Sequence, residues 1–200
     1  MAGDGSPRHS TALLAEIERA AAAAGGWGEV GAIAVGRGPG SFVGIRIGLA
    51  TARGLAASTG LPATGVCTLD ALGRALVESS VPGGLSLALL DARRGEVFAA
   101  LYADSGERLW EPFVVPPETL AERLAELPAP PLAAGAGAVR FRHELSSRGV
   151  EVPDDDDPLH RVAARHVCVL ATAAGGLEPI YLRVPDAQRW RERDDDRTSE

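Results

Sequence analysis

The sequence predicts an α/β fold whose two halves repeat one order of elements, the first half lacking its opening strands. Three observations lead there. A short apolar run, Ala32-Ile33-Ala34-Val35, passes through a glycine-rich loop into a pattern of helical period, which reads as strand, loop, helix. The second half reads β-β-β-α-β-α-β-α. The first half reads α-β-α-β-α, the same order without its three opening strands, a pseudo-repeat of element order and not of residue identity.

Residues 11–24 read as a helix, with Leu13, Ile17, Ala20 or Ala21, and Ala24 along one stripe, ended by Gly25-Gly26. Residues 31–35 read as a strand. Residues 41–59 form a second helix, stopped by Gly60 ahead of Pro62. A short strand at 63–66 and a helix at 69–77 follow. Residues 85–91 and 96–103 make a hairpin across Arg93-Arg94-Gly95, with a third strand at 109–115. Pro116-Pro117-Glu118 opens a helix to about Leu127. A strand at 132–134 and a helix at 139–147 come next. A polar loop holds Asp154 to Asp157, and a last helix runs from His160 to about Ala173. The expected division is an N-terminal lobe at 1–80, a C-terminal lobe at 81–187 and a polar tail at 188–200.

Two hundred residues suffice to bury a real core. No apolar stretch reaches the roughly 18–20 residues of a membrane span, and the opening MAGDGSPRHS has no apolar core of a signal peptide. The expected compartment is the cytoplasm. Cys67 and Cys168 stand alone without metal or redox spacing. A net charge of −7 disfavours unaided nucleic-acid binding, because phosphate contacts need clustered cations. All 20 basic residues are arginine, which removes any phosphate-binding or Schiff-base lysine.

The loop Gly36, Gly38, Pro39, Gly40, Ser41 is the most informative stretch. It lacks the Gly-Lys-Ser/Thr of a P-loop and the last glycine of a dinucleotide fingerprint. Ser41 is not flanked by the two glycines of a nucleophile elbow and reads as the N-cap of the following helix. On that helix Gly44, Gly48 and Ala52 recur at i, i+4, i+8, leaving a groove of small residues. Ala20, Ala21 and Ala24 do the same on the first helix. Such grooves admit another element at close range, either the chain's own sheet or a partner helix.

The segment GRGPGSFVGIRIGLATARGLA (36–56), followed by LPATGVCTLDAL (61–72), resembles the bacterial TsaB (YeaZ) family of tRNA threonylcarbamoyladenosine biosynthesis. LLDARRGEVFAALY (89–102) and EPIYLRVPDA (178–187) extend the resemblance, from His9 to about Ala187. It implies the two-lobed actin-like, ribonuclease-H-like fold, each lobe a mixed sheet flanked by helices. Family members begin with a strand and hairpin ahead of the first helix, so about 25–30 further residues, enough for three short strands, are expected before Met1 in the native gene. Those strands would include the phosphate-facing loop of ATP-binding relatives.

The resemblance implies a non-catalytic scaffold that binds a TsaD homologue and, with a TsaE-like ATPase, supports threonylcarbamoyl transfer to adenosine in tRNAs reading ANN codons. It also implies that tRNA is met only through the complex, that a homodimer is possible, and that Leu13, Ile17, Ala20, Ala24, Gly44, Gly48 and Ala52 form the partner interface. No catalytic residue, metal site or cofactor is expected. The alternative is an actin-like ATP-dependent enzyme or a glycoprotease-like metallopeptidase. Against it, the His-x-x-x-His metal pair of TsaD is absent, since Leu13 stands four residues after His9. His143, His160 and His166 have no ligand spacing and read as structural. Asp91 reads as a turn residue capping Arg93-Arg94 rather than a phosphate-hairpin aspartate. Asp154 to Asp157 read as a solvated acidic loop, not a cation site.

Overall fold

The structure, a computed structural model, describes residues 8–171 and 175–183. The expected polar tail lies outside them. Helix α1 spans Arg8–Ala23. It buries Ala21 and half-buries Leu13 and Ile17, as their three- and four-residue spacing requires. It begins earlier than the apolar stripe alone indicated, and it carries His9, whose side chain lies outside the described residues. A single 3-10 turn, Trp27–Glu29, leads to strand β1, Ile33–Gly36.

Helix α2, Phe42–Thr59, carries the chain from β1 to the parallel strand β2, Ala63–Val66. Ser41 caps it, its Oγ accepting the Gly44 N–H at 3.3 Å. Gly60, at φ +74°, ends it with a bond to the Ala56 carbonyl of 2.9 Å. Ile45, Leu49 and Ala52 are its buried face. Among the described residues this first sheet has two strands.

Helix α3, Thr68–Ser79, follows β2 directly. It joins the two halves, because Leu69, Leu72 and Leu76 pack on the second sheet while Ala71 packs with Val66 and Val167. The second sheet has strands β3 (Ser86–Asp91), β4 (Val97–Tyr102), β5 (Arg108–Val115) and β6 (Leu132–Ala134). Their order is β5-β4-β3-β6, antiparallel except for β6, which runs parallel to β3. The central strands are covered on both faces. Leu87, Leu89, Val97, Ala99 and Leu101 meet Leu120, Leu124 and Leu145, whereas Ala88, Phe98, Ala100 and Tyr102 meet α3. Strands buried on two faces read as continuous apolar runs, with alternate residues going to opposite cores.

Helix α4, Pro117–Ala125, supplies Leu120 and Leu124. The single helix expected at 139–147 is two short ones, α5 (Ala136–Arg140) and α6 (Arg142–Ser146), with Phe141 out of helical geometry between them. The strand expected before the last helix is one isolated bridge, Leu132 to Glu151. The last helix divides into a 3-10 turn, Pro158–His160, and α7, Ala164–Leu170. Thr172 and Ala173, expected at its end, lie outside the described residues. Val167 of α7 packs on the first half of the chain, against Val66 and Ala71.

Candidate functional site

Gly36 is close enough to Thr68 that a Cβ would stand 3.5 Å from its Oγ1. Gly38 has φ +104°, a left-handed conformation that glycine adopts without penalty. A Cβ there would lie 2.7 Å from the Ile180 carbonyl oxygen and 2.9 Å from Ile45 Cδ1. Its own carbonyl accepts the Thr68 N–H at 2.7 Å. Pro39 is fully buried, and Gly40 sits beside Ile45. Gly38 thus admits another part of this chain, the segment 175–183.

Arginines of the first lobe fasten that segment. The Arg37 carbonyl accepts the Ile180 N–H at 2.8 Å. Arg53 donates to the Leu177 carbonyl at 2.8 Å, and Arg46 Nε to the Tyr181 hydroxyl at 3.0 Å. Arg46 also lies 3.7 Å over the Phe42 ring, whose centroid is 5.2 Å from that of Tyr181. At its far end, Arg183 pairs with Glu96 and donates to the Arg93 carbonyl at 3.4 Å on the second sheet. The segment is a strap across both lobes.

Beside the strap lies a cleft of about 870 Å³. Ser41, Phe42 and Val43 form one wall, Asp91 to Arg93 another, and Ile180 to Arg183 a third. Asp91 holds the β3–β4 turn. One carboxylate oxygen accepts the Arg93 N–H at 2.8 Å, and the other pairs with Arg140 at 3.0 Å. That is the turn-capping role read from the sequence.

Elsewhere the polar side chains serve the fold. Asp70, in the first turn of α3, accepts the Tyr102 hydroxyl at 2.7 Å and Arg108 Nε at 3.1 Å, tying α3 to β4 and β5. Burial first, then the Asp70 charge, pushes the Tyr102 hydroxyl well above the usual phenol range. Burial likewise raises the Cys67 thiol, with Asp70 adding to it. His160 is engaged at both nitrogens: Nδ1 accepts the Gly135 N–H at 3.1 Å, so Nε2 donates to the Pro153 carbonyl at 3.1 Å. His166 is buried beside Glu78, whose carboxyl is held below its usual range by Arg74 first and His166 second among the attractive contacts. His143 is exposed. Asp155 pairs with Arg142, and Asp157 caps the 3-10 turn at Leu159. Among the described residues, no three His, Cys, Asp or Glu side chains converge on a common point.

The residues expected at a partner interface divide. Leu13 and Ile17 are half-buried on α1, and Ala20, Ala24 and Gly44 are exposed. Gly48 lies against Val35 of β1, and Ala52 is only 3% exposed. From Gly48 onward the small-residue row therefore turns toward the chain's own sheet. Leu14, absent from that sequence-based set, is 50% exposed on α1. It stands next to the buried stripe, and spacing alone assigned it to neither face.

A family model described as TsaD, tRNA N6-adenosine threonylcarbamoyltransferase, matches residues 4–138. An uncharacterized protein of Mycobacterium tuberculosis is 36% identical over 160 residues, covering 80% of this chain and 67% of its own length. The tRNA threonylcarbamoyladenosine biosynthesis protein TsaB of Escherichia coli is 34% identical over 166 residues, 78% of this chain and 71% of that one. Among solved structures, YeaZ from Pseudomonas aeruginosa superposes with a TM-score of 0.69 at 28% identity, covering 87% of this chain and 85% of that one. The two-lobed fold, the glycine loop and the identity to proteins of that name agree, and the chain belongs to the TsaB (YeaZ) family.

Proposed function

We propose that the chain is a non-catalytic subunit of the machinery that places threonylcarbamoyl groups on adenosine of tRNAs reading ANN codons. In this reading it holds a TsaD homologue in a productive assembly and acts alongside a TsaE-like ATPase. The observation that carries the reading is the 34% identity over 71% of the Escherichia coli protein named for that pathway. The site supports it. The Ser41 hydroxyl is engaged as a helix cap, Gly38 of the loop is packed against Ile180, and both His160 nitrogens are bonded within the fold. A nucleophile needs an adjacent base held for it, and these groups are held for other purposes.

The partner surface we assign is the solvent-facing part of α1 with the start of α2: Leu14, Ala20, Ala24 and Gly44, with the half-buried Leu13 and Ile17 at its edge. Leu14 exposes a large apolar side chain beside small residues, which lets a facing helix approach closely. The same face serves a homodimer when the partner is absent. No described helix is long and apolar enough to cross a membrane, and we place the protein in the cytoplasm. With a net charge of −7, it meets tRNA through the complex and not alone. The test is reconstitution: the chain with TsaD and TsaE homologues, an activated threonylcarbamoyl donor and tRNA. Modified adenosine should require this chain, whereas turnover by the chain alone contradicts the reading.

A further inference from the structure

The turn between β3 and β4 holds Arg93 at φ 64° and Arg94 at φ 52°, followed by Gly95 at φ 78°. Three successive left-handed residues are ordinary for Asn and Gly and unfavourable for residues with long side chains. The backbone of the turn therefore does not select this arginine pair.

Asp91 fixes the turn's backbone through the Arg93 N–H, and its second oxygen is taken by Arg140 at 3.0 Å. Glu96 is taken by Arg183. The Arg93 side chain remains 84% exposed, its guanidinium 3.7 Å from the Asp91 carboxylate. Arg94 is exposed beside it. Around this turn Asp91 thus faces both Arg93 and Arg140, in a chain of net charge −7.

We propose that the Arg93–Arg94 turn, at the lip of the cleft, contacts the phosphate backbone of the tRNA substrate within the complex; this rests on the pathway reading given above. The guanidinium fork matches phosphate oxygens bidentately. The outward reach of Arg93 suits a ligand arriving from outside the cleft, larger than the cavity, and not a small anion enclosed within it. The net charge of −7 disfavours broad contact with RNA, which suits a contact of few cations.

The test is the double variant Arg93→Asn with Arg94→Gly, which also relaxes the backbone. tRNA affinity is measured across a salt series on the chain alone and on its complex with a TsaD homologue, with thermal melting and a subunit titration. The expected result is an equal or higher melting temperature and unchanged subunit association. tRNA binding by the complex should weaken about tenfold near 0.1 M salt, with the log–log salt slope shallower by about one to two. Unchanged affinity and slope overturn the proposal. So does lost subunit association, which makes the turn a protein contact. Competition by inorganic phosphate at the turn without effect on tRNA also overturns it, since the site then takes a small anion. Failure of the unsubstituted chain to associate with TsaD contradicts the pathway reading and this proposal with it, whereas intact association with unchanged tRNA affinity in the variant contradicts this proposal alone.

Discussion

Gly38 and Ile180 meet backbone to backbone: a Cβ on Gly38 would stand 2.7 Å from the Ile180 carbonyl oxygen. Both the left-handed conformation at φ +104° and the strap's position depend on the missing side chain. Gly38→Ala should destabilise the fold by about 2 kcal/mol or more, combining an unfavourable φ with a backbone clash. Urea unfolding reads the loss, and hydrogen exchange at residues 177–182 should accelerate more than elsewhere. Equal protection of the strap in both proteins would show that the loop tolerates the methyl group.

Asp70→Ala removes the acceptor for both the Tyr102 hydroxyl and Arg108, leaving a buried phenol hydroxyl unpaired. The expected cost is about 1–3 kcal/mol, since the pair is partly solvent-screened. Measuring the fold's midpoint in urea for this variant and for Arg108→Ala tests it. Near-zero losses in both would mean that the cluster does not hold α3 to the sheet.

Alkaline pH bears on the same group. Tyr102 keeps its proton in the folded state above the phenol's ordinary pKa of about 10. Its contribution is therefore fully present below that pH and lost as pH rises past it, because the unfolded chain then releases a proton that the folded chain retains. Cys67, raised by burial, acts with the same sign from about pH 8.5. Stability should fall steadily between about pH 8.5 and about pH 11, and absorbance at alkaline pH should show one tyrosine ionising only on unfolding. A flat stability profile over that range would contradict the burial argument.

The helices α2 and α3 and the β3–β4 hairpin were legible because apolar spacing, Ser41, Gly60 and the Arg93-Arg94-Gly95 turn are local signals. Asp91 as a turn cap was legible for the same reason. The Asp70, Tyr102 and Arg108 cluster was not, since it joins residues 32 and 38 positions apart whose meeting depends on how α3 lies on β4 and β5. Nor was the strap, because Arg37, Arg46 and Arg53 look like solvated helix and loop arginines until residues 177–181 are placed over them. The row Gly44, Gly48, Ala52 was legible as a groove but not as to which side faces inward, because small residues leave no hydrophobic asymmetry. His160 gave no local signal either, as its partners Gly135 and Pro153 come from other loops.

Two substitutions distinguish the chain's own packing from partner packing. Ala52→Glu places a charge in the first lobe's core and should cost about 3 kcal/mol or more of stability. Leu14→Glu, on an exposed position, should leave the stability read from a thermal melt within about 0.5 kcal/mol of the parent. If Leu14→Glu unfolds the protein, α1 is held more tightly than its half-buried stripe indicates.

The most direct measurement of the central claim is a calorimetric titration of a TsaD homologue into this chain and into Leu14→Glu, paired with an assay of adenosine modification. The account expects tight association for the parent, weakening at least about tenfold for Leu14→Glu, and tRNA modification that falls with it while neither protein alone is active. Absence of association by the parent chain, or modification that proceeds equally without it, would contradict the account.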